Sequence, residues 1–245
     1  FMVNQIAIII PTYNEEKNIE RLIKKIRYHI SNVLIVVVDD SNNDKILNIV
    51  KKKKLNIIYF NRGKKLGRGS AVIFGLKKIL NKKKIKAFIE MDADFSHDPV
   101  ELKRNIKYFF EGSLDLLIGS RYLKESKIIN WSLSRRIFSY LANFSARNLL
   151  QIPIQDFTNG YRIYSRRSVK RIVKNCGKIG DGFIILSEIL VELYLNNYKI
   201  DEIHSKFVNR TRGESSVNFK LILEAFFGLV KIYFKKRKLK NLAYR

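Results

Sequence analysis

Cysteine and histidine are both scarce in this chain of 245 residues, and each scarcity closes off a class of protein. The single cysteine, Cys176, excludes an intrachain disulfide and fits a reducing compartment. The three histidines, His29, His97 and His204, lie far apart in sequence, so no His cluster argues for zinc. Long hydrophobic runs are missing too. The first, Ile6 to Ile10, meets Pro11 at once and is too short for a signal peptide or a spanning helix. Two nucleotide-binding signatures are also absent. No G-K-[ST] occurs, hence no Walker A loop, and the place after the first strand holds Pro11 to Glu16 instead of G-x-G-x-x-G. The later Gly67-x-Gly69 lacks its third glycine, which removes a dehydrogenase reading.

Acid is the other shortage. Against 48 Lys and Arg stand 22 Asp and Glu, a net charge of +26 that implies an anionic partner. Nucleic acid, anionic lipid and phosphorylated substrates all qualify. A composition rich in Lys, Ile and Asn together places much of this charge on solvated surface. No nucleic-acid-binding motif is present, and such a module would leave the acidic loops described below without a purpose, so nucleic acid is not the expected partner.

A hydrophobic content of 46%, with 12% aromatic residues, suffices for a packed core. The first half alternates β-branched strands with amphipathic helices. Strands are expected at Ile6–Ile10, Leu34–Val38, Asn56–Phe60, Ala87–Met91 and Leu114–Ile118, and helices at Asn18–Ile30, Ile46–Lys53, Ala71–Leu80 and Val100–Phe110. Such alternation indicates an α/β fold with a mostly parallel sheet. In the less regular second half, helices are expected at Arg135–Leu150 and Phe183–Leu195, and strands at Gly160–Tyr164 and Lys199–Val208, the last an edge or antiparallel strand. No internal repeat or low-complexity linker separates the halves.

Asp92-Ala93-Asp94 is the triplet with the most chemistry. It ends an apolar run and opens a loop, Phe95 to Pro99. Two carboxylates one residue apart at the carboxyl end of a strand can reach one hard divalent cation, Mg2+ or Mn2+, with room left for substrate phosphates. A lone D-x-D is more often a solvated turn; its company decides. Pro11-Thr12-Tyr13-Asn14-Glu15-Glu16 follows the first strand, and Val38-Asp39-Asp40-Ser41 ends the second. Gly67-Arg68-Gly69-Ser70-Ala71 opens a helix, and Gly119-Ser120-Arg121-Tyr122 ends a later strand. Trp131 precedes Arg135 and Ser139, and Arg212-Gly213-Glu214-Ser215 follows near the end.

In this order the motifs resemble those of family 2 of the nucleotide-sugar glycosyltransferases, with the GT-A fold, and within it the dolichol- or polyprenol-phosphate mannosyltransferases. The resemblance implies a nucleotide-sugar donor held by Pro11, Tyr13, Glu15, Val38, Asp39, Asp40, Gly67, Ser70, Ala93 and Arg212, with either Asp39 or Asp40 on the ribose. Gly67 to Ala71 would let backbone and a helix N-terminus meet the diphosphate, with Lys64, Lys65 and Arg68 nearby. It implies Mg2+ or Mn2+ on Asp92 and Asp94, with Ser96 where some relatives place a third ligand. It implies a dolichyl or polyprenyl phosphate acceptor bound by Arg121, Arg135 (or its neighbour Arg136), Ser139 and Arg212, so that Asp92, Asp94, Arg121 and Arg135 carry the catalysis. Asp156 matches an acceptor-side motif as well; the plainer alternative is a turn carboxylate orienting Arg162.

A phosphate monoester is already anionic at neutral pH and attacks the anomeric carbon without a general base, which agrees with the lack of an obvious His base. The implied reaction is inverting transfer of a hexose, mannose from GDP-mannose first, with glucose from UDP-glucose or an aminosugar as the alternative. Residues 1–218 would form the catalytic domain. Residues 219–245 would form a membrane-contacting segment, an apolar helix to Phe234 with one polar stripe, followed by Lys235, Lys236, Arg237, Lys238 and Lys240. The expected location is the cytoplasmic face of a membrane, peripherally bound. Oligomeric state is not legible.

Overall fold

Why the first half reads so cleanly is plain from its strands. Except for the half-buried edge strand at Ile58–Asn61, each is buried on both faces, as parallel strands between two helix layers must be. The computed structural model describes residues 3–180, 182, 184–209, 228–234 and 236. Its elements run β1 Ile6–Thr12, α1 Ile19–His29, β2 Leu34–Asp39, α2 Lys45–Lys52, β3 Ile58–Asn61, α3 Arg68–Ile79 and β4 Ala87–Glu90. A 3-10 turn, Pro99–Glu101, leads into α4 Leu102–Glu111, and β5 Leu116–Ser120, β6 Lys127–Ile129 and α5 Leu133–Leu150 follow. The rest is β7 Arg162–Ser165, α6 Arg166–Asn175, α7 Ile184–Tyr194, β8 Ile200–His204 and β9 Lys206–Val208.

Seven strands form one sheet in the order β3-β2-β1-β4-β7-β5-β8. All neighbours are parallel except β7, which runs antiparallel to both β4 and β5. Side-chain alternation splits the core into two layers. Ala7, Ile9, Val36 and Val38 face α3, α6 and α7, whereas Ile6, Ile8, Ile10, Ile35 and Val37 face α1 and α4. The parallel register brings the carboxyl ends of β1, β2, β4 and β5 to one edge, and the start of β7 meets them there.

The expected strand over 199–208 divides at Ser205. The Ser205 hydroxyl and the Lys206 N–H donate to the two oxygens of Glu101, at 2.6 and 3.0 Å, and this bends the chain. β8 then lies at the sheet edge but parallel to β5, and β9 pairs in parallel with β6 in a separate two-stranded ribbon. Neither β6 nor α6 was expected. Three residues show no period, and in α6 Arg166, Arg167, Lys170, Arg171 and Lys174 mask the few apolar positions, Val169 and Ile172, that reach the core.

Most of the expected C-terminal segment lies outside the described residues. Of the part that is described, Gly228–Phe234 is helical, and Leu229 and Ile232 join the core layer that holds α3, α6 and α7. The ammonium of Lys236 donates to the carbonyl of Leu150 at the end of α5. Among the described residues, no helix is long and apolar enough to cross a membrane.

Candidate active site

The acids that end β2 are turned to the protein. Asp39 is fully buried, and its carboxylate accepts from the Thr12 hydroxyl at 3.0 Å, the Ser41 hydroxyl at 2.7 Å, the Ser41 N–H at 3.1 Å and the Tyr59 hydroxyl at 2.8 Å. Burial, reinforced by that bond to Asp39, pushes the Tyr59 phenol well above its ordinary pKa. Asp40 takes a two-pronged ion pair from Arg62, at 2.6 and 2.7 Å, and the N–H of Leu66 at 2.8 Å. Arg62 in turn donates to the Gly67 carbonyl at 3.1 Å and the Ser70 hydroxyl at 2.9 Å. These two acids therefore fasten β1 to β2 and β2 to the glycine turn. That turn needs Gly67, whose φ of 93° lies in the left-handed region.

Above β1 the loop from Pro11 places Tyr13 44% exposed, with the Lys65 ammonium 4.7 Å from its ring centre. The Asn14 N–H donates to the Ser41 hydroxyl at 2.8 Å, and Glu15 accepts from the Asn18 amide at 2.7 Å. Pro11, Val38, Asp39, Asp40, Gly67 and Ser70 thus do meet at one sheet edge, around an open tyrosine ring.

Asp92, Ala93 and Asp94 follow β4 on the same edge. The Ser96 N–H donates to Asp94 at 3.0 Å, while the Ser96 hydroxyl is buried without a hydrogen-bond partner among the described residues. Phe95 between them has φ 64°, a left-handed conformation that costs a bulky residue about 1–3 kcal/mol and that its neighbours must hold. The Val208 N–H does so by donating to the Ser96 carbonyl at 3.1 Å. The donors here are hard oxygens: two carboxylates and an unsatisfied hydroxyl. That set fits Mg2+ or Mn2+. His97 is no ligand. Its Nδ1 accepts the Asp92 N–H at 3.1 Å, which leaves Nε2 to donate to the Asn159 side chain at 2.9 Å. The Asn159 amide continues to the carbonyl of Gly119, so the acidic loop is tied through buried groups to the end of β5.

At that end sits Arg121. Its Nε and one terminal nitrogen grip Asp156 at 2.8 and 2.7 Å, and the same nitrogen reaches the Thr158 hydroxyl at 2.6 Å. Burial works against both charges, but each partner outweighs it: Asp156 is held below the ordinary carboxylate range and Arg121 is raised. Asp156 thus orients Arg121 and not Arg162. Arg162 is fully buried and donates to the carbonyls of Phe157, Asn159 and Leu186. The loop that carries Asp156 rests on Glu202, which accepts the N–H groups of Gln155 and Asp156 at 2.7 and 2.9 Å.

Trp131, Phe207 and Tyr122 surround Arg121, with ring centres 5.5, 5.4 and 5.6 Å from the guanidinium carbon. Arg135 lies over the other side of this enclosure, 4.2 Å from the centre of Trp131, and donates to Asn209 at 2.8 Å. Its neighbour Arg136 points away, to the Ile128 carbonyl at 2.7 Å, which settles which of the two meets Trp131. Ser139 accepts from the Tyr122 hydroxyl at 2.6 Å. The indole N–H of Trp131 is buried without a partner among the described residues, a cost of about 1–3 kcal/mol that an anion would relieve. Arg121, Arg135 and Ser139 are thus brought together. Arg212 lies outside the described residues.

The helix that carries Arg135 and Ser139 is inverted. Its inward stripe is Arg135, Ser139, Asn143, Ala146 and Leu150, polar toward the site, whereas Leu133, Ile137, Phe138, Tyr140, Leu141, Phe144 and Leu149 are exposed. Sequence reasoning sought an apolar outer face at the C-terminus and missed this one. Also missed were Arg62, Glu90, Asn143 and Glu202, polar groups whose partners are remote in sequence.

The profile of glycosyl transferase family 2 matches residues 7–173. The chain is 32% identical to the polyprenol monophosphomannose synthase of Mycolicibacterium smegmatis over 226 residues, covering 90% of this chain and 83% of that protein. It is 34% identical to the dolichol-phosphate mannosyltransferase of Pyrococcus furiosus over 228 residues, but spans only 61% of that longer protein. Among solved structures, glucosyl-3-phosphoglycerate synthase from Mycobacterium tuberculosis, in complex with Mn2+, uridine diphosphate and phosphoglyceric acid, superposes with a TM-score of 0.66 at 15% identity, over 94% of this chain and 78% of that one. At such identity the likeness shows the fold.

Proposed function

Because the chain belongs to glycosyl transferase family 2, we propose that this glycosyltransferase moves mannose from GDP-mannose to a polyprenyl or dolichyl monophosphate. The observation that carries the acceptor side is the enclosure of Arg121, Arg135, Ser139 and the unpartnered Trp131 N–H. It is cationic, rich in donors, half-lined by aromatic rings, and suited to a phosphate on an apolar tail. The names of the Mycolicibacterium and Pyrococcus relatives point to the same sugar and the same class of lipid.

The donor nucleotide lies along the edge formed by Pro11, Tyr13, Glu15, Val38, Asp39, Asp40, Gly67, Ser70 and Ala93, its base against the Tyr13 ring, with Arg212 completing the cluster. Asp39 and Asp40 are both engaged by the protein, and the ribose is met by one of them or by the backbone beside them. Asp92 and Asp94, with the Ser96 hydroxyl, would hold Mg2+ or Mn2+, whose charge would stabilise the departing diphosphate. Arg121, oriented by Asp156, and Arg135 fix the acceptor phosphate so that one of its oxygens faces the anomeric carbon. That oxygen is anionic beforehand, so no side chain need take a proton, and the sugar inverts.

Residues 1–218 form the catalytic unit in this reading. Contact with a membrane surface falls to the outward face of α5, which borders the acceptor enclosure, while the basic residues of 219–245 add charge attraction. This reading places the protein peripherally, at the cytoplasmic face. The deciding experiment offers radiolabelled GDP-mannose, UDP-glucose and an aminosugar nucleotide, each with polyprenyl phosphate, and follows label into the organic phase. Label from GDP-mannose alone supports the reading; label from UDP-glucose alone moves the sugar, and none from any donor removes the acceptor.

A further inference from the structure

Arg68 occupies an unusual position. It opens α3, yet its side chain runs under the sheet edge and joins two acids: Nε donates to Asp92 at 2.6 Å and a terminal nitrogen donates to Glu90. Glu90 is 1% exposed, and its other oxygen accepts from the Tyr164 hydroxyl at 2.7 Å. The guanidinium also reaches the Gly160 carbonyl at 3.4 Å, and any side chain at 160 would collide with it. So the passage is built for an arginine: a bare glycine on one wall, a buried carboxylate at the end, and Asp92 at its mouth.

We propose that Arg68 is a resident counter-ion that competes with the divalent cation for Asp92 and thereby keeps metal affinity low until a diphosphate supplies the remaining oxygens. This inference rests on the metal reading above and concerns its regulation. Two cations cannot share one carboxylate oxygen without repulsion, and the partial burial of this pair weakens solvent screening. When a metal takes Asp92, the Arg68 Nε gives up its bond while the terminal nitrogen remains on Glu90, so Arg68 need not leave. The donor's two phosphate charges then offset the repulsion that the bare site suffers. Metal and nucleotide consequently bind with positive coupling, and Arg68 sets how strong that coupling is.

The test measures Mn2+ binding to the full chain without nucleotide, by the loss of the free-ion electron paramagnetic resonance signal, and then with GDP present. A neighbouring guanidinium changes a carboxylate's affinity for a cation by roughly one to three powers of ten. Arg68→Met should therefore bind Mn2+ at least about tenfold more tightly than wild type, and GDP should improve its affinity less. Because Arg68→Met strands the Glu90 charge and can impair folding, the pair Glu90→Gln and Arg68→Met/Glu90→Gln repeats the comparison with the buried acid neutralised. Tighter binding in the double variant than in Glu90→Gln supports the proposal. Equal or weaker binding overturns it, provided Asp92→Asn still abolishes Mn2+ binding. Unchanged Mn2+ binding in Asp92→Asn would instead overturn the metal reading, and this proposal with it.

Discussion

The two sides of this site use the same pair, arginine with carboxylate, in opposite senses. On the side of β4 the acid faces the site and the arginine holds it, Arg68 on Asp92. On the side of β5 and α5 the arginine faces the site and the acid holds it, Asp156 under Arg121. The first side is fitted to gather a cation and the second to gather an anion. Exposure differs accordingly. Asp92 retains 20% of its side-chain surface, whereas Asp156 has none. Removing one partner should therefore do unlike damage on the two sides.

The largest difference is expected in stability. Asp156→Asn leaves Arg121 buried without its countercharge and should cost about 3–5 kcal/mol in chemical denaturation. Asp92→Asn, after which Arg68 still has Glu90, should cost far less; equal losses would erase the distinction. In turnover the order reverses in kind. Asp92→Asn should keep its fold and lose about 10²-fold or more in rate, since leaving-group stabilisation goes with the metal. Arg135→Ala should instead raise the apparent KM for lipid phosphate, by the ~1.5–3 kcal/mol of a charge-assisted hydrogen bond, and spare the donor KM. An equal rise for both substrates would place Arg135 on the diphosphate.

Smaller still is the effect at the outer face of α5. Phe138→Glu with Leu141→Glu should weaken binding to anionic vesicles about tenfold, a part of the ~1.5–3 kcal/mol that each full burial is worth. Because both side chains are exposed, the melting temperature should hardly move. A protein that unfolds would show that this face is packed in an assembly. The last and slightest concerns acid. Asp156 has a lowered folded pKa, so its contribution is complete above the ordinary carboxylate value and is lost as pH falls through the lowered one. Asp156→Asn should flatten the stability profile below about pH 4.

How much of this was legible follows from the reach of each interaction. Periodicity found β1, β2, β4 and β5 because a strand buried on both faces is a local run of apolar residues. The motif residues Pro11, Asp39, Gly67 and Asp92 fall on one edge because parallel pairing alone puts them there. The direction of β7 could not be read, since four residues carry no sign of which way they run. Nor could the pairing of Asp40 with Arg62, or of Arg68 with Glu90, for in a chain with 48 cations no single one stands out. Helix α5 was found, and the resemblance set Arg135 and Ser139 toward the site; that the opposite face is apolar and exposed was not foreseen. An apolar stripe is ordinarily taken to face inward, and here the buried stripe begins with Arg135, Ser139 and Asn143.

The antiparallel strand β7 also dictates an order of assembly. Strands β1 to β4 pair only among themselves until β7 arrives, so all their partners but β7 precede β5 in the chain. β5 has no such neighbour; both its partners, β7 and β8, lie downstream of it in the chain. A nascent chain that has just emitted β5 thus carries an apolar strand with nowhere to dock. Only when Arg162–Ser165 slots beside β4 does a second edge exist to receive it. Non-local pairings of this kind are slow to form and leave edges exposed meanwhile. The weak step in producing this protein is thus the insertion of one four-residue strand, and chaperone demand should peak between emergence of β5 and emergence of β7.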